Sequence, residues 1–125
     1  MTAMSRLRVG IDLVQISRIA GSVESFGDRF LRRIFTTREV AYAAGEAERL
    51  AARFAAKEAA KKALNLDGVG WAEIEVVRAP GGELELCLHG AARAAADALG
   101  VDDVALSMSH EGDYATAVVI ARSAS

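Results

Sequence analysis

The sequence predicts an α+β fold in which a mainly antiparallel sheet packs around one long helix. Residues 38–64 are rich in Ala, Glu, Lys and Arg, the strongest helix formers. Five other segments either alternate apolar and polar residues or run in β-branched and aliphatic side chains, as strands do. Strands flank helices without the regular alternation of strand and crossover helix that builds a parallel sheet.

Taken in order, LRVGIDLVQI (residues 7–16) is a strand ending near Asp12 to Gln15. Ser17 to Ile34 carries Ile19, Val23, Phe26, Phe30 and Ile34 at helical spacing, and Gly21 and Gly27 weaken it enough that two short helices can replace one. Thr36-Thr37-Arg38-Glu39 is a capping box: the Thr36 hydroxyl satisfies the Glu39 amide while the Glu39 carboxylate reaches back, so a helix starts there. Gly45 breaks that helix from a longer one, about Glu46 to Leu64. The turn residues of NLDGVG end it. AEIEVVRA then alternates with Ile74 and Val76 on one face, Pro80-Gly81-Gly82 turns, and ELELCLH returns with Leu84, Leu86 and Leu88 inward, making a hairpin. AARAAADALG is a short helix closed by Gly100. VALSMSH and YATAVVIAR are strands joined around Glu111-Gly112-Asp113.

A chain of 125 residues suits one domain, residues 1–125, with a core of its own. Hydrophobic content of 52 % with 26 % charged residues, and no apolar run near the ~20 residues of a membrane span, argues against a membrane protein. Fifteen basic and 17 acidic side chains leave a net charge of −2, so no global positive field exists to hold nucleic acid. The N-terminal stretch lacks a secretory pattern, and the single cysteine, Cys87, has no partner for an internal disulfide; both suit the cytoplasm. Cys87 lies among leucines and reads as a packed thiol.

Leu50, Phe54, Glu58 and Lys62 form one slanted row of the long helix, so Glu58 follows two apolar residues toward the core or its rim. Alternatively Glu58 and Lys62 are a solvated i,i+4 ion pair worth a few tenths of a kcal/mol. The neighbouring row of Arg53, Lys57 and Lys61 is uniformly basic. Asp12 interrupts an apolar strand, either to cap the next helix or as a second special carboxylate. If Asp12 and Glu58 converge, they repel unless a cation lies between them, and hard oxygen ligands favour Mg²⁺ completed by waters and substrate phosphates. His110 shares the parity of Leu106 and Met108 near a strand end, as a rim residue or a phosphate contact. Glycine-rich phosphate loops, zinc-ligand spacing and a nucleophile elbow are absent from the sequence.

VGIDLVQISRI (Val9 to Ile19), RFAAKEAAKKA (Arg53 to Ala63) and LSMSHEGDYATAVV (Leu106 to Val119), in that order, resemble the three signatures of the holo-acyl-carrier-protein synthases, the small phosphopantetheinyl transferases. The resemblance implies transfer of 4′-phosphopantetheine from coenzyme A to a serine hydroxyl of an apo acyl carrier protein, with release of adenosine 3′,5′-bisphosphate. It also implies Asp12 and Glu58 as Mg²⁺ ligands, with Asp12, Glu58 and Lys62 as the catalytic set. Lys62 would stabilise the transferring phosphoryl group or the leaving bisphosphate; Arg53, Lys57 and His110, along with Lys62, would contact coenzyme A. Either a metal-bound water or Glu58 could accept the serine proton. Arg18, Arg29, Arg32 and Arg33 would meet the acidic docking helix of the carrier, and a homotrimer would place active sites at subunit seams. NLDGVG departs from the Gly-Thr-Gly-like turn common in relatives, and GGELEL lacks their Gly-x-Pro. The alternative is a noncatalytic module that binds carrier protein or coenzyme A, against which the presence of both carboxylates and Lys62 argues.

Overall fold

The structure, a computed structural model, describes residues 5–124. Strand β1 (Arg6–Gln15) runs directly into α1 (Ile16–Phe26); α2 (Asp28–Ile34) and α3 (Thr37–Ala43) come next, then the long helix α4 (Ala47–Leu64). A single 3₁₀ turn (Trp71–Glu73) leads into β2 (Ile74–Arg78) and β3 (Leu84–Leu88), and α5 (Gly90–Ala98) connects these to β4 (Val101–Glu111) and β5 (Tyr114–Ser123). The break expected between two helices falls at Gly27, whose φ of 55° lies in the left-handed region. Helix α1 takes its cap from far along the chain. Asp113, in the β4–β5 turn, accepts the Ser17 amide at 2.9 Å and the Ser17 hydroxyl at 2.6 Å, while its backbone carbonyl takes the Ile16 amide at 2.7 Å.

The main sheet is antiparallel with order β1-β5-β4, and β2 and β3 form a separate hairpin. Register puts Asp12 and Met108 on either side of Ala117, and Val14 and His110 on either side of Ala115. These residues share the sheet face on which α4 lies. Ala55, Ala56, Ala59, Ala60 and Ala63 of the helix are buried in one cluster with Ala117, Val119 and Ala121 of β5. Small side chains on both surfaces allow a close approach, and it is closest at Gly10. A Cβ built there would lie 1.9 Å from the Ala59 carbonyl oxygen and 2.8 Å from the Ala63 amide nitrogen.

Helix α4 is consequently buried on most of its circumference. After its first turn only Phe54, Glu58, Lys61 and Lys62 keep substantial exposure, so the expected row climbs from buried Leu50 through half-buried Phe54 and Glu58 to exposed Lys62. Two of the three members of the adjacent basic row, Arg53 and Lys57, do not face water. Lys57 is fully buried, and its ammonium donates to Glu39 Oε1 at 2.7 Å, to the Trp71 carbonyl at 3.2 Å and to the Ile74 carbonyl. Burial draws this ammonium below its ordinary range, and the Glu39 carboxylate opposes that pull. Glu39 is more than the capping residue the sequence predicts: besides the Thr36 amide at 2.9 Å, it accepts the Val76 amide at 2.9 Å. A buried pair satisfied at this many points ties α3, α4 and β2 together, and removing either partner would strand a charge.

Glu75, also buried, accepts Arg38 Nη2 at 2.7 Å and Thr36 Oγ1 at 2.6 Å, and lies 3.0 Å from His89 Nε2. Burial alone pushes its carboxyl up, but the hydrogen bonds of Arg38, Thr36 and His89 overcome that and bring it from 4.5 to about 2. The folded value lies below the unfolded one, so this stabilisation is present above about pH 4.5 and is lost as pH falls through about 2; fully expressed it amounts to about 3 kcal/mol. Urea unfolding is expected to show wild type losing more stability across that window than Glu75→Gln, which is weaker at neutral pH, so that the gap between the two narrows as pH falls. Parallel pH curves for the two proteins would contradict this assignment.

The opposite face of β1 is apolar and open: Leu7, Val9, Ile11 and Leu13 are 63–75 % exposed, and Ile120 of β5 is 45 % exposed. Among the described residues, no helix is long and apolar enough to cross a membrane.

Candidate active site

Asp12 stands on the α4 side of β1, which is an edge strand of its sheet. Its backbone carbonyl accepts the Thr116 hydroxyl at 2.7 Å. Lys62 Nζ lies 3.2 Å from Asp12 Oδ1 and donates to the Ile11 carbonyl at 2.9 Å. The ion pair made by Lys62 is therefore with Asp12 on the strand, in place of the i,i+4 pair with Glu58 that helix spacing allows. Glu58 reaches the same place from the exposed strip of α4. Burial first, then the charge of Asp12, push its carboxyl above the ordinary range, while Lys61 and Lys62 pull it back. Two carboxylates distant in sequence thus feel one another at a half-buried rim.

That electrostatic tension is the local test of whether a cation fits. Both donors are hard oxygens, and among the described residues no group of three His, Cys, Asp or Glu side chains is arranged to hold a metal. An ion here would have two protein carboxylates and would complete its shell with water and substrate oxygens, which is the habit of Mg²⁺ and unlike a closed zinc site. The residues fit a magnesium ion.

Beside Glu58 on the same strip, Phe54 stacks on Trp71 with centroids 5.1 Å apart, and Lys61 Nζ sits 3.7 Å from the Trp71 ring centroid. No pattern in the sequence points to this shelf, because Trp71 comes from a turn beyond the helix.

Arg53 and His110 meet each other but not Asp12. They line a pocket of about 230 Å³ with Tyr42, Arg49, Arg78 and Ser109, and one carboxylate, Glu48, stands among these cations. Arg53 is 2 % exposed, its guanidinium lies 4.3 Å from the Tyr42 ring centroid, and its Nε is buried without a hydrogen-bond partner. Burial lowers Arg53 from its ordinary range. Arg78 Nε donates to the Tyr42 hydroxyl at 3.0 Å and draws that hydroxyl below the usual tyrosine range. Three guanidinium groups around one ring, with an orphaned donor among them, make a site for an anion. Arg49, four residues before Arg53, carries a helical-spacing signal for this cluster; Tyr42 and Arg78 do not.

Two geometric facts separate this pocket from the carboxylates. Residues 53 and 58 are five apart on a helix and so point about 140° from one another. His110 lies on β4 and Asp12 on β1, with β5 between them and a two-residue offset along the strands, which puts their backbones about 12 Å apart. Lys57, also expected to contact coenzyme A, is corrected by the structure: all of its donors are consumed in the core, so no phosphate can reach it. Arg18, Arg29, Arg32 and Arg33 are exposed on α1 and α2, and Arg32 makes only a loose contact of 3.8 Å with Asp28. A larger hollow, about 1140 Å³ between β3, α5 and β4, contains none of the expected site residues.

Known proteins share both the sequence and this architecture. The holo-[acyl-carrier-protein] synthase of Koribacter versatilis is 49 % identical over 120 residues, covering 91 % of this chain and 96 % of that protein. The crystal structure of the Helicobacter pylori holo-[acyl-carrier-protein] synthase in complex with coenzyme A is similar with a TM-score of 0.81 at 28 % identity, covering 90 % of this chain and 98 % of that one. A Chronobacterium ammoniagenes ACPS-CoA complex has a TM-score of 0.84 at 36 % identity, covering 94 % of this chain and 98 % of that one. Residues 8–119 match the family model of the 4′-phosphopantetheinyl transferases, a span that takes in both carboxylates, Lys62 and the Arg53–His110 pocket, and the chain belongs to the 4′-phosphopantetheinyl transferase superfamily.

Proposed function

We propose that this protein transfers the 4′-phosphopantetheine group of coenzyme A to a serine hydroxyl of an apo acyl carrier protein, with Mg²⁺, and releases adenosine 3′,5′-bisphosphate. The observation that carries this reading is the meeting of Asp12 and Glu58 beside Lys62 in a chain of this superfamily.

Asp12 and Glu58 would hold Mg²⁺, which when bound supplies positive charge to the diphosphate of coenzyme A. Lys62, on the exposed end of its row, reaches the same place and would balance charge on the transferred phosphoryl group. Glu58, half-buried on the exposed strip of α4, would take the serine proton, with a metal-held water as the alternative. Arg53 and His110, helped by Arg49 and Arg78, would bind a further phosphate of coenzyme A. Because this pocket and the carboxylates lie on different sides of one chain, a complete site would draw the two halves from neighbouring subunits of a homotrimer. The exposed apolar face of β1 supports such an assembly, since open stripes of this kind mark subunit contacts. Arg18, Arg29, Arg32 and Arg33 would dock the acidic carrier; the loose Asp28–Arg32 pair is too exposed to resist exchange for that partner. The compartment would be the cytoplasm.

The test is mass spectrometry of several apo carrier proteins incubated with enzyme, coenzyme A and Mg²⁺. A carrier is expected to gain one phosphopantetheine, and a chelator is expected to stop the gain. No modified carrier under any condition would overturn the proposal.

A further inference from the structure

We infer that Lys62 is a built-in counter-ion that holds the metal position closed until the diphosphate arrives, so that this enzyme admits its divalent ion together with coenzyme A and binds the ion poorly alone. This order of binding rests on the transfer activity proposed for the chain and adds a sequence of events to it.

Without ligand, the two carboxylates are already balanced. Lys62 Nζ sits 3.2 Å from Asp12 Oδ1 and is fixed a second time by the Ile11 carbonyl at 2.9 Å, on the unpaired edge of β1. The second contact matters because it makes the ammonium's position a bidentate seat on the strand rather than a chance approach of two surface charges. Lys61 is parked nearby over the Trp71 ring at 3.7 Å. Both ammonium groups act on Glu58 as well. Two negative and two positive side chains thus make a site of no net charge, and the Asp12 side chain is only 19 % exposed, so solvent screens the exchange weakly. A divalent ion entering alone must displace Lys62 from Asp12 and then remain beside it. An ion arriving with a diphosphate brings the anion that Lys62 can turn to. With its own side chain 57 % exposed, Lys62 has room to swing without moving the helix.

Mn²⁺ alone, followed by electron paramagnetic resonance, measures the first event directly. Lys62→Met is expected to bind free Mn²⁺ about tenfold more tightly than wild type, the order associated with removing one unit charge from a half-buried site. In the presence of saturating coenzyme A the advantage is expected to vanish or reverse, because the variant lacks the group that would meet the diphosphate. Lys62→Gln, which keeps a polar side chain, is expected to behave like Lys62→Met. Equal or weaker binding of free Mn²⁺ by both variants, with wild type still binding Mn²⁺ in the presence of coenzyme A, would overturn the counter-ion role and leave the proposed function standing. Absence of Mn²⁺ binding in wild type and both variants, with or without coenzyme A, would overturn the metal site itself and the inference with it.

Discussion

Asp12→Ala and Glu58→Gln enzymes are each expected to transfer phosphopantetheine at least about a hundredfold more slowly than wild type while melting within a few degrees of it. Both side chains stand at a rim, so their loss opens no core cavity, and Asp12→Ala frees an exposed lysine rather than a buried one. Circular dichroism and initial rates of carrier modification measure the two halves of this expectation. The same variants test where the site is completed. Chains carrying Asp12→Ala, co-expressed with chains carrying His110→Ala, would assemble some seams in which both halves are wild type, roughly a quarter of them for random mixing in a ring. Activity above that of either parent is expected. A mixture no more active than the average of its parents would mean that each chain builds its site alone, against the separation of the two clusters in the fold.

Gly10→Ala is the second substitution expected to have a large effect, although it adds one methyl group. The new Cβ would fall on the Ala59 carbonyl and the Ala63 amide, both backbone groups in the last turns of a buried helix. A flexible neighbour could turn aside; a helix backbone cannot, so α4 must lift from β1. Overpacking of this kind costs about 3 kcal/mol, with a melting temperature lower by roughly 10 °C. The clash lies one residue from Glu58 on the helix and two from Asp12 on the strand. Any lift therefore also parts the carboxylates, and the variant is expected to lose transfer even at temperatures where it remains folded. Retention of wild-type rates by Gly10→Ala would show that the approach of helix to strand does not set the spacing of the pair.

Local signals in the sequence were enough for most of the elements. The capping box at Thr36 and the alternation of the two hairpins each depend on neighbours within a few residues and appear in the fold, and of the two glycines that weakened the second segment Gly27 breaks it while α1 runs through Gly21. Asp12 and Glu58 stood out singly, as carboxylates placed where apolar residues belong, and it was the family resemblance that put them together. Burial of polar groups by distant partners was not legible. Lys57 sits in a uniformly basic row and was expected to contact coenzyme A, yet α4 is covered on most sides, so its polar residues no longer mark the direction of water or ligand. Glu39, the partner that makes the burial tolerable, was fully accounted for as a cap and gave no sign of a second role. The seating of α1 on Asp113 and the ring of arginines around Tyr42 failed for the same reason: each joins segments whose proximity only the folded chain creates.

The alanine seam between α4 and β5 has a bearing on how this enzyme can diverge. Where two backbones meet through side chains this small, drift has almost no volume to trade, and nearly every replacement is an enlargement. On the docking proposed for Arg18, Arg29, Arg32 and Arg33, adaptation to a different carrier would fall to the surface of α1 and α2, which touches solvent and can be rewritten one charge at a time. A lineage could change clients many times over while its helical spine stayed nearly unaltered.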